Sequence, residues 1–392
     1  MKLPAGYRYA SSYAGIRKDQ RDDLTLILSE RPASAAAVFT RNRVQAAPVR
    51  LSRAHLRASH GLVRAILANA GNANCATRTG DRVALATCRA VAKLIQAPVE
   101  QVLPASTGVI GVELDPKLIT GALPRLLDRL SEDGFPDAAR AIMTTDQVPK
   151  MAFGEAPLRA GTIHIAGMTK GSGMIQPRMA TTLGFVMTDA AISPRLLRPM
   201  LAKAVERSYH RVSVDGDTST NDTLLLLANG ASGIQPDNKE RLVFEEVLCW
   251  VMEDLAEKIA RDGEGARKLI TIHVLGARDE GEAAAIARSI ANSPLVKTAV
   301  AGCDPNWGRI ISAAGNSGIL FDPHKVDIFL QRVRVCRNGV AAKFSERELK
   351  QKMECHECLI RFVIRGKGAG ETRFWGCDLT EDYVKINASY RT

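Results

Sequence analysis

Short apolar runs alternate with helix-period segments along the whole chain. "DLTLILS" from Asp23 and "SAAAVFT" from Ser34 predict early strands, and "VRAILANA" from Val63 predicts a buried one. "DRVALATCRAVAKLI" carries Val83, Leu85, Cys88, Val91 and Leu94 at helical spacing, so the first half is mixed α/β. After Thr181 come a strand-like "TLGFVMTD", a helix opened by Ser193 with Pro194 at its first position, and a strand-like "DTLLLLAN". The longest helix is predicted from Asn238, with Leu242, Val247, Val251, Leu255 and Ile259 on one face until the glycines of "RDGEG" stop it. Past Asp304 the runs "VDIFLQRVRV" and "LIRFVIRG", the turn "CRNGV" and the polar helix "SERELKQKM" predict a small α+β terminal unit. "RGKGAGET", between two strand-like runs, reads as a hairpin turn.

Composition changes this picture little. The 392 residues are 46% hydrophobic and 24% charged, ordinary globular material for two or three domains. No apolar window is long enough to cross a membrane, and the start "MKLPAGYRYASSYAGIRKDQ" has no signal-peptide core, so the expectation is a cytoplasmic protein that keeps its amino terminus. The net charge of +11 is scattered rather than blocked, and aromatic residues make up only 5%, which argues against a nucleic-acid partner. Eight cysteines in so long a chain do not read as a disulfide framework, and the lone "CHEC" at Cys355 to Cys358 reads as structural, not as a metal site.

Several motifs fail chemical tests. "GMTKGSGM" lacks the order of a phosphate-binding P-loop, and no G-x-S-x-G elbow or H-E-x-x-H helix is present. "VDGDTSTNDT" (Val214 to Thr223) lacks the sixth-position glycine and twelfth-position glutamate of an EF-hand. It reads instead as a turn held by side-chain to backbone hydrogen bonds, or as the lining of a polar site. "KGSGMIQPRMATTLGF" places two threonines after Ala180. A threonine hydroxyl needs a neighbouring base, which the α-amine of an N-terminal threonine supplies; an internal threonine acquires one only if the preceding peptide is cut. A pair of threonines opening a strand is equally a matter of β-propensity.

The same segment resembles the self-cleavage site of the ornithine acetyltransferase family, bifunctional glutamate N-acetyltransferases of arginine biosynthesis, with the typical form KGSGMIxPxMAT. The likeness extends, in order, through "VFTRNRVQAAPV", "NAGNANCATRTG", "ASTGVIG", "AIMTTDQVPK", "VDGDTSTNDT", "ARDGEGARKLI", "NSPLVKTAVAGCDPNWGRI" and "CDLTEDYVKINASYRT". It implies a layered α/β sandwich of the self-cleaving, N-terminal-nucleophile-like type with a small α+β C-terminal unit. It implies cleavage between Ala180 and Thr181, giving a first fragment of residues 1–180, a second-fragment core of 181–302 and a terminal unit of 303–392. Thr181 would carry the acetyl group from N-acetylornithine to glutamate, with Thr107 and Gly108 as the oxyanion hole.

Substrate contacts carried over in this way are Gln147, Lys170, Thr181, Glu264, Asn387 and Thr392. Lys170 suits a carboxylate, and Glu264 an amine. No cofactor or metal is implied, although acetyl-CoA is a conceivable co-substrate, and the assembly suggested is a heterotetramer of two copies of each fragment. The chain departs from the family pattern at Gln147, where the fourth motif normally ends in threonine, at Arg178 in place of asparagine, and at Thr182 in place of methionine. An aminopeptidase or amidase using the same kind of nucleophile is the alternative within enzymes, and a non-enzymatic anion-binding protein is the alternative outside them.

Overall fold

The computed structural model describes residues 2–176 and 182–389. Eight strands build the first sheet: β1 (Tyr7–Ser12), β2 (Leu24–Phe39), β3 (Leu62–Asn72), β4 (Val102–Val109), β5 (Lys150–Leu158), β6 (Gly161–Lys170), β7 (Leu183–Thr188) and β8 (Thr223–Ala228). Their order is β4-β3-β2-β8-β7-β6-β5, with β1 added on β2. Helices α1 (Ala47–Ala58), α2 (Gly80–Leu94), α3 (Pro116–Asp128), α4 (Phe135–Ala141), α5 (Pro194–Arg207) and α6 (Glu240–Arg261) accompany them.

Strand periodicity divides the interior. Along β8, Leu224 and Leu226 join a core with α5 and α6, while Leu225 and Leu227 join another with β1 and α4. Both faces are therefore covered, which is why "TLLLLA" is an unbroken apolar run rather than an alternating one. A third core packs α2 and α3 on β2 to β4 through Leu26, Leu67, Val91 and Leu123. At the α4 end, Phe135 meets Tyr9 edge-on, with ring centroids 5.1 Å apart.

A second sheet of six strands, β9 (Leu269–Ala277), β10 (Val326–Leu330), β11 (Val333–Arg337), β12 (Val340–Ala341), β13 (Glu357–Ile364) and β14 (Gly370–Cys377), runs in the order β12-β11-β10-β13-β9-β14. Helices α7 (Glu280–Ala291), α8 (Pro294–Ala301), α9 (Trp307–Gly315) and α10 (Glu346–Met353) complete this unit, and α11 (Glu381–Ser389) follows it. Together these elements form the mixed, layered α/β architecture expected.

Four details of the strands differ from the sequence reading. The two early strands are one, β2, whose pairing with β3 shifts register between Leu28 and Ala33. The C-terminal sheet takes β9, upstream of residue 303, between β13 and β14. "VDIFLQRVRV" folds back on itself at Gln331 and Arg332, both left-handed at φ 46° and 66°, a turn that no glycine announces. "RGKGAGET" is not a hairpin turn: β13 pairs parallel and β14 antiparallel with β9, so the segment crosses the end of β9.

That crossing brings backbone against backbone. A Cβ on Gly368 would lie 2.3 Å from the Ala277 carbonyl oxygen, so side chains are excluded there. On the long helix, Val251, Leu255 and Ile259 are buried as predicted, but Leu242 is 63% exposed because it precedes the stretch that reaches the sheet. Gly368→Ala is expected to lower the unfolding free energy by about 2 kcal/mol, read as a drop in urea midpoint at unchanged slope.

Candidate active site

Two carboxylates of the acidic loop hold the main chain on either side of residues 177–181. Asp215 accepts the N–H groups of Met174 (2.5 Å) and Ile175 (2.8 Å), and Asp222 accepts that of Thr182 (3.1 Å). Its neighbour Asn221 donates to the carbonyls of Ala73 (2.7 Å) and Ser106 (2.8 Å), fastening the same loop to the ends of β3 and β4. "VDGDTSTNDT" is thus a bracket built from side-chain to backbone hydrogen bonds. Burial pushes the Asp222 carboxyl well above the usual range, against the opposing effect of the Thr182 N–H it accepts. Asp215 is also raised by burial, against the opposing effect of the amides it accepts.

The bracket borders a cavity of about 200 Å³ lined by Thr107, Gly108, Thr144, Thr145, Lys170, Gly173, Asp215, Glu264, Tyr383 and Asn387, among others. Thr107 and Gly108 lie where β4 leaves regular pairing with β3, Asn72 facing both Thr107 and Val109. Gly108 has φ +129°, and a Cβ there would sit 2.2 Å from the Gly71 carbonyl carbon, so only glycine fits. Among the described lining residues there is no histidine.

Lys170, the last residue of β6, donates to Thr144 Oγ1 (2.7 Å) and Thr107 Oγ1 (3.4 Å) and lies 4.0 Å from Asp146 Oδ2. Behind it, Lys150 bonds Asp146 at 2.6 Å and Asp262 at 2.5 Å, so four buried charges form a chain. Burial pulls the Lys170 ammonium below its ordinary value, offset only in part by Asp146. Burial alone would raise Asp146, but Lys170 and Lys150 outweigh it and hold the carboxyl at about 2.

Glu264 is positioned by its own N–H donating to the Ser172 carbonyl (2.9 Å) and by Asn387 Nδ2, 2.8 Å from its Oε2. Gly173 lies against this carboxylate; a Cβ there would be 2.3 Å from Oε2. The glycines of "KGSG" therefore let Glu264 approach the strand end that carries Lys170. One short segment connects a buried cation and a buried carboxylate across a single polar cavity.

Of the residues picked from sequence, Thr107, Gly108, Lys170, Glu264 and Asn387 share the cavity. Gln147 does not line it. Asp146 uses its oxygens on Lys150, Thr144 and Gly171, and the chain beyond it turns outward so that the Gln147 N–H meets Asp262 at 3.1 Å, with the residue exposed. Thr144 and Thr145 of the same motif occupy the wall instead. Sequence reasoning also missed Tyr383, whose hydroxyl is 3.4 Å from Asp215 Oδ2; four-residue spacing to Asn387 along one helix was its only signal. Arg178, Ala180, Thr181 and Thr392 lie outside the described residues.

A family model described as the ArgJ family matches residues 8–392. The chain belongs to the ArgJ family. It is 44% identical to the arginine biosynthesis bifunctional protein ArgJ of Nitratidesulfovibrio vulgaris over 99% of both chains. It is 46% identical to that of Thermosynechococcus vestitus, over 99% of this chain and 96% of the relative. Among solved structures, ArgJ of Bacillus halodurans is 40% identical with a TM-score of 0.51, covering 53% of this chain and 98% of that one. Membership makes this chain an acyltransferase and places it in acetyl transfer in arginine biosynthesis. Among the described residues no helix is long and apolar enough to cross a membrane.

The cavity wall depends on its buried charge chain, so its stability varies with pH. Because the folded value of Asp146 is about 2 and the unfolded one about 4, its contribution is complete above about pH 4 and is lost as pH falls through about 2. Asp146→Asn should cost about 3 kcal/mol at pH 7, and the gap to wild type should narrow as unfolding is measured from about pH 4 downward.

Proposed function

We propose that this ArgJ-family protein cuts itself between Ala180 and Thr181 and then moves acetyl from N-acetylornithine to glutamate through an acetyl ester on Thr181. The observation that carries the reading is the bracket: carboxylates fix the amides of 174–175 and 182 beside a cavity holding Lys170 and Glu264. The length of the Bacillus halodurans chain, which matches 53% of this one, also agrees with a chain divided near its middle.

In the first half-reaction the Thr181 hydroxyl attacks the acetyl carbonyl and its proton passes to the new α-amine. The oxyanion takes hydrogen bonds from Thr107 and Gly108, worth about 3 kcal/mol per donor in comparable sites. Collapse expels the amine of ornithine, which leaves protonated. In the second half, the glutamate amine attacks the ester and Thr181 is released. Lys170 holds the α-carboxylate common to both substrates, and Glu264, oriented by Asn387, attracts the cationic side chain of ornithine.

The exchange needs no cofactor, and acetyl-CoA fits the same scheme as an alternative donor to the hydroxyl. We further propose a cytoplasmic heterotetramer, two copies of each fragment, acting on small molecules without nucleic acid or membrane.

Wild type given N-acetylornithine should form acetylglutamate only when glutamate is added; release of free acetate regardless of glutamate would assign it to amide hydrolysis instead. Thr181→Ala should run as one uncut, inactive chain on a denaturing gel. Thr107→Ala should lower kcat by about 100-fold or more with a smaller change in KM, measured on protein first shown to be cut.

A further inference from the structure

The start of β9 holds a second concentration of reactive groups, outside the residues that line the cavity. Lys268, the residue before β9, is 7% exposed. Its ammonium donates to the carbonyls of Val300 (3.0 Å) and Met353 (2.8 Å), in the last turns of α8 and α10. Those are the negative ends of two helix dipoles, where orphan carbonyls welcome a cation. Its third contact is the sulfur of Cys303, at 2.8 Å. Asp378 accepts the Lys268 backbone N–H at 2.9 Å, while the ammonium itself has no ion pair among the described residues. Among the described residues, the side chain that this ammonium hydrogen-bonds is the Cys303 thiol.

Cys303 is also reachable. It is only partly buried, just beyond the end of α8, with a left-handed backbone at φ 53°. Peroxides oxidise an accessible cysteine sulfur to the sulfenic acid, and here that sulfur is in hydrogen-bond contact with a lysine nitrogen. A second buried lysine lies near a cysteine in this protein and supplies the contrast. Lys297 is 3.6 Å from the sulfur of Cys377, but Cys377 is 1% exposed and the ammonium donates to that residue's carbonyl. Proximity and access coincide at Cys303 and not at Cys377.

We propose that Lys268 and Cys303 form an oxidant-responsive pair that closes into a covalent sulfur–nitrogen bond. The Cys303 thiolate attacks a peroxide oxygen and the O–O bond breaks. Sulfur is oxidised to the sulfenic acid, and the departing hydroxide is neutralised by a proton from the Lys268 ammonium, leaving water and a free amine. The amine then attacks the sulfenic sulfur; the S–N bond forms, the S–O bond breaks, and the hydroxyl leaves as a second water with the amine's proton. One peroxide is consumed and the protein becomes lighter by two hydrogens. Nitrogen and sulfur already in contact give this step the advantage of an intramolecular reaction, and attack by an external thiol on the sulfur reverses it. The bond would tie the start of β9 to the end of α8.

The test is peptide mapping of the full-length protein, without reductant, after exposure to hydrogen peroxide. The expected product joins the peptides bearing Lys268 and Cys303, two hydrogens below their summed mass, and disappears after dithiothreitol. It should be absent from Cys303→Ser and from Lys268→Arg. In Lys268→Arg a dione probe should label Cys303 as sulfenic acid more heavily than in wild type. Equal labelling in both proteins with no joined peptide, an unreacted Cys303, or Cys303 recovered in a disulfide would each overturn the proposal. So would equal crosslinking of Lys297 to Cys377. The wild-type result alone decides the matter if Lys268→Arg does not fold.

Discussion

Hydrogen bonds from main-chain amides to the carboxylates of Asp215, partly buried, and Asp222, buried, fix the chain at residues 174–175 and at 182. One side of the cavity depends on them. Upstream they set the level at which "KGSGMI" leaves β6, so that Lys170 faces inward and Gly173 meets Glu264. Downstream they start β7, whose parallel pairing with β8 begins at Leu183 opposite Thr223. A buried carboxylate is costly unless its oxygens are satisfied, and here the donors are backbone N–H groups that would otherwise need partners of their own.

The second constraint is electrical. Lys170, Asp146, Lys150 and Asp262 alternate in sign through the wall of the cavity. Alternation lets charges persist at almost complete burial, and each one holds a different piece of chain: the end of β6, the motif around Thr144, the start of β5, and the loop after α6. A cation that is desolvated yet kept by its neighbour is well placed to bind a carboxylate from solution. Across the cavity, Glu264 is held by Asn387 of the last helix, so the site is closed by residues drawn from nearly the whole length of the sequence.

Much of this was legible beforehand where signals are local. Ser193 and Pro194 mark the start of α5, and β7 and β8 show as apolar runs. Distant pairing was not legible. Nothing in residues 269–277 says that they will separate β13 from β14, and the register break that joins two apparent strands into β2 depends on what β3 offers. Gln331 and Arg332 form a turn from side chains that give no turn signal. At the site, the family pattern led to Lys170, Glu264 and Asn387, which converge. It pointed to Gln147 where Thr144 and Thr145 form the wall, because the direction of a loop after a buried aspartate is decided by Asp262, far away in sequence.

The claim on which the functional account rests is that Thr181 itself carries the acetyl group between substrates. Incubating the enzyme with N-acetylornithine alone, quenching in acid and mapping its peptides tests this directly. One acetyl ester is expected, on the peptide whose first residue is Thr181, and it should be lost when glutamate is added before the quench. Active enzyme that yields acetylglutamate with no acetylated peptide, or with the acetyl group on another residue such as Lys170, would contradict it.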